Sequence, residues 1–435
     1  MKNKYLLLIL MLSSYFVSAQ TQLDFVTVDK MTYDYYQAAK WDSLIVIGKQ
    51  AKKQKIDYYY LNYRMGEAYF NKKNFHLASS YFQQALHQNK GALNDEYFME
   101  LLHLALVYSQ RNDLAMDISL PQRSVQEDPM ILNKFNLFFG VGKMLNYNKT
   151  NAHVIPSAAY SEFQYQDAVS YWGFKYSHQF NSGFNLGLSY SKLQFKIKTI
   201  MEDSGVSINE SYSISQSNFA LLPEFSLGVN WQLKPVMVFS SSKGYPYSIV
   251  DTINGSKVFD YWEYKERNFM FGLNVYRHIR NVKLGINMGV SNYMLRKQVQ
   301  AGLNLTYYPF GNLNLYSFTE ASIKIDDREK SVVFQQQIGF KTFSKLWVET
   351  GGFFGSLKNY SNYNLAYTYS IADNMDMLLY GKLIFVLNQN IDFYLEGQYL
   401  NKYTYRAIDY GTNEHIETKI NYNQWNIEGG LLWKF

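Results

Sequence analysis

The chain has 435 residues, a net charge of +6, no cysteine and an aromatic fraction of 18%, with 40 tyrosines and 30 phenylalanines. The lack of cysteine excludes disulfides, cysteine-ligated metals and thiol nucleophiles, and so slight a charge, without a basic run, predicts no nucleic-acid partner. Beyond the amino terminus no apolar run reaches the ~18 residues that a spanning helix needs. These features do not exclude a membrane-spanning β-barrel, because a barrel pairs its backbone groups internally and alternates apolar with polar residues.

Residues 1–19 predict a secretory signal peptide. Lys2 and Lys4 precede the apolar run Tyr5–Leu12, and small residues close the segment at Val17–Ala19. A basic start, a short apolar core and small residues at the exit are the features of such a signal. The apolar run is too short to favour a permanent anchor helix.

Residues 28–120 follow a period near 3.6, which predicts a helical domain. The clearest unit carries small and aromatic residues at fixed offsets: Gly66, Tyr69, Ala78, Phe82 and Ala85. These offsets resemble those of the tetratricopeptide repeat, whose small and aromatic positions allow two antiparallel helices to pack closely. Degenerate copies at Tyr35–Ala51 and Leu101–Met116 extend the resemblance on both sides.

The resemblance implies a concave face lined by the first helix of each repeat. Its predicted client-binding residues are Tyr60, Tyr63, Glu67 and Phe70, along which a periplasmic protein or peptide would lie in extended or helical form. The alternative is that these side chains pack against a neighbouring repeat or the mouth of a barrel. Acidic and basic residues are equally numerous in this region, so its charge indicates no particular client.

From about residue 133 to the end, apolar and polar residues alternate with the period of two that marks β-strands. Val282, Leu284 and Ile286, for example, share one face, while Lys283 and Gly285 share the other. Both soluble sandwiches and membrane barrels show this alternation. The sequence therefore predicts an α+β multidomain chain with N-terminal tetratricopeptide repeats (28–120) and an antiparallel transmembrane β-barrel of about 14 strands (133–435).

The lengths of the connections favour the barrel. Connections after even-numbered predicted strands are tight, as at Asn181-Ser182 and Arg280-Asn281. Most of those after odd-numbered strands are long: 146–165, 199–213, 244–264, 358–372 and 406–418. Bacterial outer-membrane barrels have short turns in the periplasm and long loops outside. We therefore predict a location in the bacterial outer membrane, with the helical domain in the periplasm and the long loops at the cell surface.

The last strand carries a further indication of a barrel. Alternate positions on one face are aromatic, aliphatic or glycine: Trp425, Ile427, Gly429, Leu431, Trp433 and Phe435. A chain that ends this way resembles the insertion signal of outer-membrane barrels, which implies outer-membrane lipid and the barrel assembly machinery as partners. The alternative is an ordinary half-buried strand that closes a soluble sheet.

The predicted lumen face carries charges of both signs with a basic bias. Its candidates are Lys143, Lys175, Lys283, Lys341, Lys382, Glu396 and Glu428. Such residues either select the charge of a solute or pair with one another across the interior. A barrel of about 14 strands is wider than one that side chains fill and narrower than an open porin.

No catalytic or metal-binding pattern is present in the sequence. The seven histidines are scattered and none forms a His-Glu-x-x-His motif, and we find no Gly-x-Ser-x-Gly elbow. The acidic pairs Glu202-Asp203 and Asp326-Asp327 fall in predicted outer loops, where they would be solvated, although calcium binding stays open. We expect no enzyme, no cofactor and no metal site.

Periplasmic repeats followed by a barrel are similar in layout to the surface lipoprotein assembly modulators and to exopolysaccharide export porins. The resemblance covers Tyr35–Ala115 through the repeat spacing, and implies export or assembly of a surface protein, lipoprotein or polysaccharide. A second hypothesis is a passive or gated pore for small solutes. A third is a structural or adhesion barrel that uses tyrosine-rich loops such as Tyr245–Tyr264.

Overall fold

The computed structural model describes residues 23–118, 132–147, 160–203, 206–253, 256–293, 296–327, 329–362, 373–409 and 415–435. The predicted signal peptide lies outside these ranges. The chain divides into two compact units, Met1–Ala105 and Leu106–Phe435. Within the described ranges, no helix combines the length and the apolar character needed to cross a membrane.

The first part of the chain is helical. Its elements are α1 (Phe25–Gln37), α2 (Trp41–Lys53), α3 (Tyr59–Asn71), α4 (Phe75–Gln88), a 3-10 turn (Lys90–Asn94), α5 (Glu96–Tyr108) and α6 (Asn112–Ala115). The first helix begins at a capping residue: the Asp24 carboxylate accepts a hydrogen bond from the backbone N–H of Thr27 at 2.7 Å, which caps α1. A Cβ on Gly66 would lie 2.5 Å from the Phe82 ring, so the close approach of α3 to α4 depends on this glycine.

The second part is a closed antiparallel barrel of 14 strands. The strands are β1 (Asn133–Tyr147), β2 (Tyr160–Asn181), β3 (Phe184–Asp203), β4 (Val206–Leu227), β5 (Trp231–Gly244), β8 (Tyr264–Ile279), β9 (Val282–Ser291), β10 (Gln298–Tyr307), β11 (Leu315–Asp326), β12 (Lys330–Phe343), β13 (Leu346–Gly355), β14 (Asn374–Val386), β15 (Ile391–Asp409) and β16 (His415–Lys434). A separate hairpin, β6 (Tyr247–Ile253) and β7 (Ser256–Tyr261), lies between β5 and β8.

The first and last strands close the ring. The N–H of Asn133 donates to the carbonyl of Phe435 at 2.8 Å, and the N–H of Phe435 donates back at 3.1 Å. Every barrel strand therefore has two neighbours, and the ring has no edge strand.

The alternation along each strand separates an outer from an inner face. On β8, Phe269 and Phe271 are exposed while Asn268 and Met270 are buried. The same phase runs through the other barrel strands and leaves large apolar side chains on the outside. An apolar outer band with polar groups inside is the arrangement of a membrane barrel.

The two ends of the barrel differ. We call one end the short-turn end. It has the connections 182–183, 228–230, 280–281, 308–314, 344–345 and 387–390, together with the first and last residues of the barrel. We call the opposite end the long-loop end.

The prediction of a loop at 199–213 is wrong, because β3 and β4 stay paired as far as Asp203 and Val206. The alternation of apolar and polar residues weakens in this stretch, but the hydrogen-bonded pairing of the two strands continues beyond the apolar band.

Candidate functional site: the barrel lumen

Six of the seven predicted lumen residues lie on the inner face: Lys175, Lys283, Lys341, Lys382, Glu396 and Glu428. Lys143 does not, and its prediction is wrong. It is exposed and shares the outer face of β1 with Val141 and Leu145. The neighbouring inner positions of that strand belong to Gly140 and Gly142, so the charge of Lys143 and not its place in the alternation suggested the lumen.

Charges on the inner wall are neutralised locally near the short-turn end. The Lys382 Nζ lies 3.4 Å from the Glu396 carboxylate and 3.9 Å from the centre of the Tyr394 ring. The Tyr394 hydroxyl donates to Glu428 at 2.8 Å, and Lys434 pairs in the same way with Asp392 at 2.8 Å. Because these charges are paired, they do not indicate a strong preference for cationic or for anionic solutes.

Several lumen tyrosines lie flat against glycines of the neighbouring strand. A Cβ on Gly430 would meet the Tyr394 ring at 2.3 Å, and one on Gly339 would meet the Tyr316 ring at 2.3 Å. The register places each glycine beside its tyrosine, so the rings cover the bare backbone of the neighbouring strand. An inward glycine opposite a tyrosine is the sequence signal of this packing.

A segment of the connection between β13 and β14 lies inside the lumen. Leu357 and Tyr360 are completely buried, Asn359, Ser361 and Asn362 are at most 5% exposed, and Lys358 is half-buried. The Gln298 side chain donates to the carbonyl of Asn359 at 3.0 Å. Gln300 donates to the carbonyl of Ser361 at 2.8 Å and accepts from its N–H at 3.2 Å. We call residues 357–362 the lumen segment.

Further contacts join the lumen segment to β11 and to an apolar cluster on the neighbouring strands. The Tyr360 hydroxyl donates to Glu320 on β11 at 3.0 Å, and the Lys324 ammonium donates to the carbonyl of Lys358. Leu357 and Tyr360 complete an apolar cluster with inward residues of four strands: Val333, Phe353, Met375, Leu378 and Leu400. The segment is therefore anchored by polar bonds on one wall and by apolar packing on another.

The same connection reaches the opposite wall at its far end. Asp373 accepts a hydrogen bond from the backbone N–H of Gln166 on β2 at 2.8 Å and another from the Tyr422 hydroxyl on β16. The lumen segment contacts β10 and β11, which lie on the other side of the ring. The sequence predicts a surface loop at 358–372. Its described part turns inward instead, so this prediction is wrong for residues 358–362. Residues 363–372 lie outside the described ranges.

At the long-loop end, two strands that are not neighbours in the ring pair with each other. Tyr160–Glu162 at the start of β2 pair with Ala407–Asp409 near the end of β15, although β1 and β16 separate these strands in the ring. Beneath this pairing lies the buried Arg406, which donates to Ser161 at 2.8 Å and to Glu202 at 3.0 Å. Glu202, expected to be a solvated loop carboxylate, is thus part of an ion pair.

An apolar patch lines the wall formed by β4, β5 and β8. Its residues are Ala220, Val236, Val238, Met270 and Tyr293, with Leu222 packed against them. All except Tyr293 lie on strand positions that alternate with exposed apolar residues, so they face inward. The inside of this wall therefore carries an apolar cluster, whose side chains are covered in this structure.

The predicted groove residues of the helical unit have separate environments. Tyr60 is exposed and stacks on the Arg64 guanidinium at 5.6 Å, while Phe70 packs on Phe75 of α4 at 5.5 Å. Tyr63 stacks on Phe98 at 5.7 Å. Glu67 is buried and accepts hydrogen bonds from two tyrosines of other helices, which the sequence pattern did not indicate.

The predicted insertion face lies on the outside of β16. Ile427, Leu431, Trp433 and Phe435 are exposed, whereas Trp425 is half-buried and Gly429 is buried. The Trp433 and Phe435 rings lie 4.8 Å apart. An aromatic pair at the end of an apolar strand is placed where a membrane–water interface would be.

No family model matches the sequence, and no curated protein matches it. Solved structures with a similar fold include the toluene transporter TodX of Pseudomonas putida (TM-score 0.48, 8% identity, 70% of this chain and 90% of that chain). A FadL homologue of Pseudomonas aeruginosa has a TM-score of 0.48 and 9% identity over 71% and 91% of the chains. A bacterial polysaccharide outer membrane secretin has a TM-score of 0.34 and 8% identity over 70% and 98%. None of the three reaches a TM-score of 0.5, so no substrate or functional residue is transferred from them.

Proposed function

We propose that this protein is a gated outer-membrane channel for small solutes with an apolar part. The observation that carries the proposal is the lumen segment, a piece of a surface connection buried inside a barrel too wide for wall side chains to fill. A barrel with a purely structural or adhesive role has no need to place its own loop in the lumen. A channel that must stay closed until a solute arrives does.

The anchoring of the lumen segment is suited to reversible closure. Its described polar bonds run mostly between wall side chains and segment backbone, as at Gln298 and Gln300. Each such bond contributes about 0.5–1.5 kcal/mol net, because water replaces it when the segment leaves. Gly355, at the start of the connection, has a φ of +115°, a backbone conformation that L side chains rarely adopt and that permits a sharp departure from the strand.

The lining supports a solute that is partly apolar and uncharged. The patch around Val236 and Val238 and the cluster around Phe353 place apolar side chains inside the barrel, and departure of Leu357 and Tyr360 would uncover those around Phe353. Nearer the short-turn end, tyrosine rings and the ion pair of Lys382 with Glu396 offer hydrogen bonds. Apolar walls with a few polar groups are typical of small-molecule sites.

We place the short-turn end in the periplasm and the long-loop end at the cell surface, as the lengths of the connections favour. We also interpret the paired helices α1–α4 as tetratricopeptide repeats, supported by the packing of Gly66 on Phe82 and the burial of Ala78 and Ala85. Export of a polymer is less well supported, since the lumen segment and the closure around Arg406 both lie where the polymer would pass.

Solute uptake tests the proposed class. Full-length protein in liposomes is compared for swelling in phenyl β-glucoside, glucose and gluconate, with the variant Gln298→Ala/Gln300→Ala as the opened form. We expect the opened form to admit phenyl β-glucoside fastest, and expect Val236→Gln/Val238→Gln added to it to lower that rate toward the rate for glucose. Equal rates for all three solutes would contradict the solute class, and absence of swelling in the opened form would contradict the channel.

A further inference from the structure

Three helices of the first unit bring one carboxylate and two tyrosines into a row. The Tyr36 hydroxyl of α1 donates to Glu67 Oε2 on α3 at 2.8 Å, and the Tyr97 hydroxyl of α5 donates to Glu67 Oε1 at 3.2 Å. The three residues come from the first, third and fifth helices, so alternate helices supply neighbouring members of the row. We call Tyr36, Glu67 and Tyr97 the acceptor row.

The hydrogen bonds of the acceptor row leave it with acceptors alone. A tyrosine hydroxyl has one proton and lone pairs, and both protons here point to Glu67, while the neighbouring Tyr63 hydroxyl donates its own proton to Tyr36. The remaining lone pairs of Tyr36, Tyr97 and the carboxylate can accept but cannot donate. Burial and the bond to Glu67 raise the pKa of Tyr36 to about 12, so this arrangement persists at neutral pH.

The surroundings of the row are aromatic and anionic. The Tyr36 ring lies 6.1 Å from Trp41 and 6.3 Å from Tyr63. Asp95 and Glu100 add negative potential: with Glu67 they raise the pKa of Tyr63 and Tyr97, although burial is the largest cause in both.

The nearby cation Arg64 is directed elsewhere. It forms an ion pair with Asp29 at 2.8 Å and lies between the rings of Tyr33 and Tyr60. Carboxylate and aromatic groups without a competing donor favour a cation, through charge and through attraction to the ring faces.

We propose that the acceptor row binds a lysine or arginine side chain of an extended basic segment in a partner protein. An ammonium group brings three donors and no acceptor, and a guanidinium brings five, which complements a surface that only accepts. Charge complementarity selects a basic segment over an acidic or neutral one. Tyr97 is exposed and Tyr36 is half-buried, so an extended chain reaches the row at its tyrosines, beside the buried Glu67. This site does not depend on the proposed channel activity.

The test is peptide binding to the full-length protein in detergent. Fluorescence anisotropy follows a labelled peptide of alternating alanine and lysine, with a peptide of alternating alanine and glutamate as its counterpart. We expect Glu67→Gln, which keeps the shape of the side chain, to weaken binding of the lysine peptide about tenfold, as for loss of a charged partner. Tyr97→Phe is expected to weaken it about threefold, since one acceptor is lost.

The control variant is Asp42→Asn, an exposed carboxylate on α2 that pairs with Lys72 at 3.1 Å; its affinity should equal that of the unmodified protein. If Glu67→Gln unfolds the helices, as circular dichroism would show, Tyr97→Phe decides. Unchanged affinity in Tyr97→Phe and Glu67→Gln, or equal binding of the glutamate peptide, would overturn the proposal. Competition by free lysine amide as effective as by the peptide would also overturn it, because a small amine would then be the ligand.

Discussion

The double variant Gln298→Ala/Gln300→Ala is expected to open the channel far more often than the unmodified protein in planar bilayers. The substitutions remove three hydrogen bonds to the lumen segment, at 2.8, 3.0 and 3.2 Å. At about 1 kcal/mol each, their loss shifts the balance between closed and open states by roughly a hundredfold, since each 1.4 kcal/mol corresponds to a factor of ten. Single-channel recording gives the open probability directly.

A matched control separates release of the segment from a general change in the lumen. Gln398 is another inward glutamine, but it donates to Glu396 at 2.8 Å and makes its described contacts away from the segment. Gln398→Ala should leave the open probability near that of the unmodified protein. If the double variant gates like Gln398→Ala, the segment does not control opening.

Arg406→Met is expected to destabilise the long-loop end severely. The guanidinium is 1% exposed and neutralises Glu202, whose side chain is 15% exposed. Removing one partner of a buried ion pair costs about 3–5 kcal/mol, because the other charge stays without compensation. The pairing of β2 with β15 directly above should separate first. Chemical unfolding followed by tryptophan fluorescence measures the loss, and limited proteolysis locates it.

Two further variants test whether the lost charge pair is the cause. Lys419→Met removes one partner of an exposed pair with Asp376 at 3.6 Å, so it should cost no more than about 1 kcal/mol. Adding Glu202→Gln to Arg406→Met removes the uncompensated charge and should recover much of the stability. A loss in Arg406→Met no larger than that in Lys419→Met would show that the buried pair contributes little.

The barrel itself could be predicted from the sequence, because period-two alternation and tight turns are local features. The number of strands agrees with the structure, and six of the seven predicted lumen charges face inward. The exception, Lys143, continues the exposed apolar row Leu137, Phe139 and Val141 on the outer face of β1. A charged side chain is therefore a poorer guide to the lumen than its position in the alternation.

The lumen segment could not be predicted by the same means. Periodicity reports on regular elements, and a connection that folds inward has none. Leu357 and Tyr360 are the trace it leaves in the sequence, two large side chains within a stretch otherwise rich in polar residues. Their burial depends on Val333, Phe353 and the amides of β10, partners that come close only when the ring closes. The same holds for Glu67, whose two tyrosine partners belong to other helices.

The most direct test of the channel proposal is a reversible cross-link between the lumen segment and the wall. The chain has no cysteine, so Gln300→Cys/Ser361→Cys introduces a single pair, which a reducible bis-methanethiosulfonate reagent can join. Single-channel recordings should show a protein that stays closed once cross-linked and opens again on adding reductant, while each single-cysteine variant is unaffected by the reagent. Currents that are the same before cross-linking, after it and after reduction would mean that solutes pass by another route and that the lumen segment is not the gate.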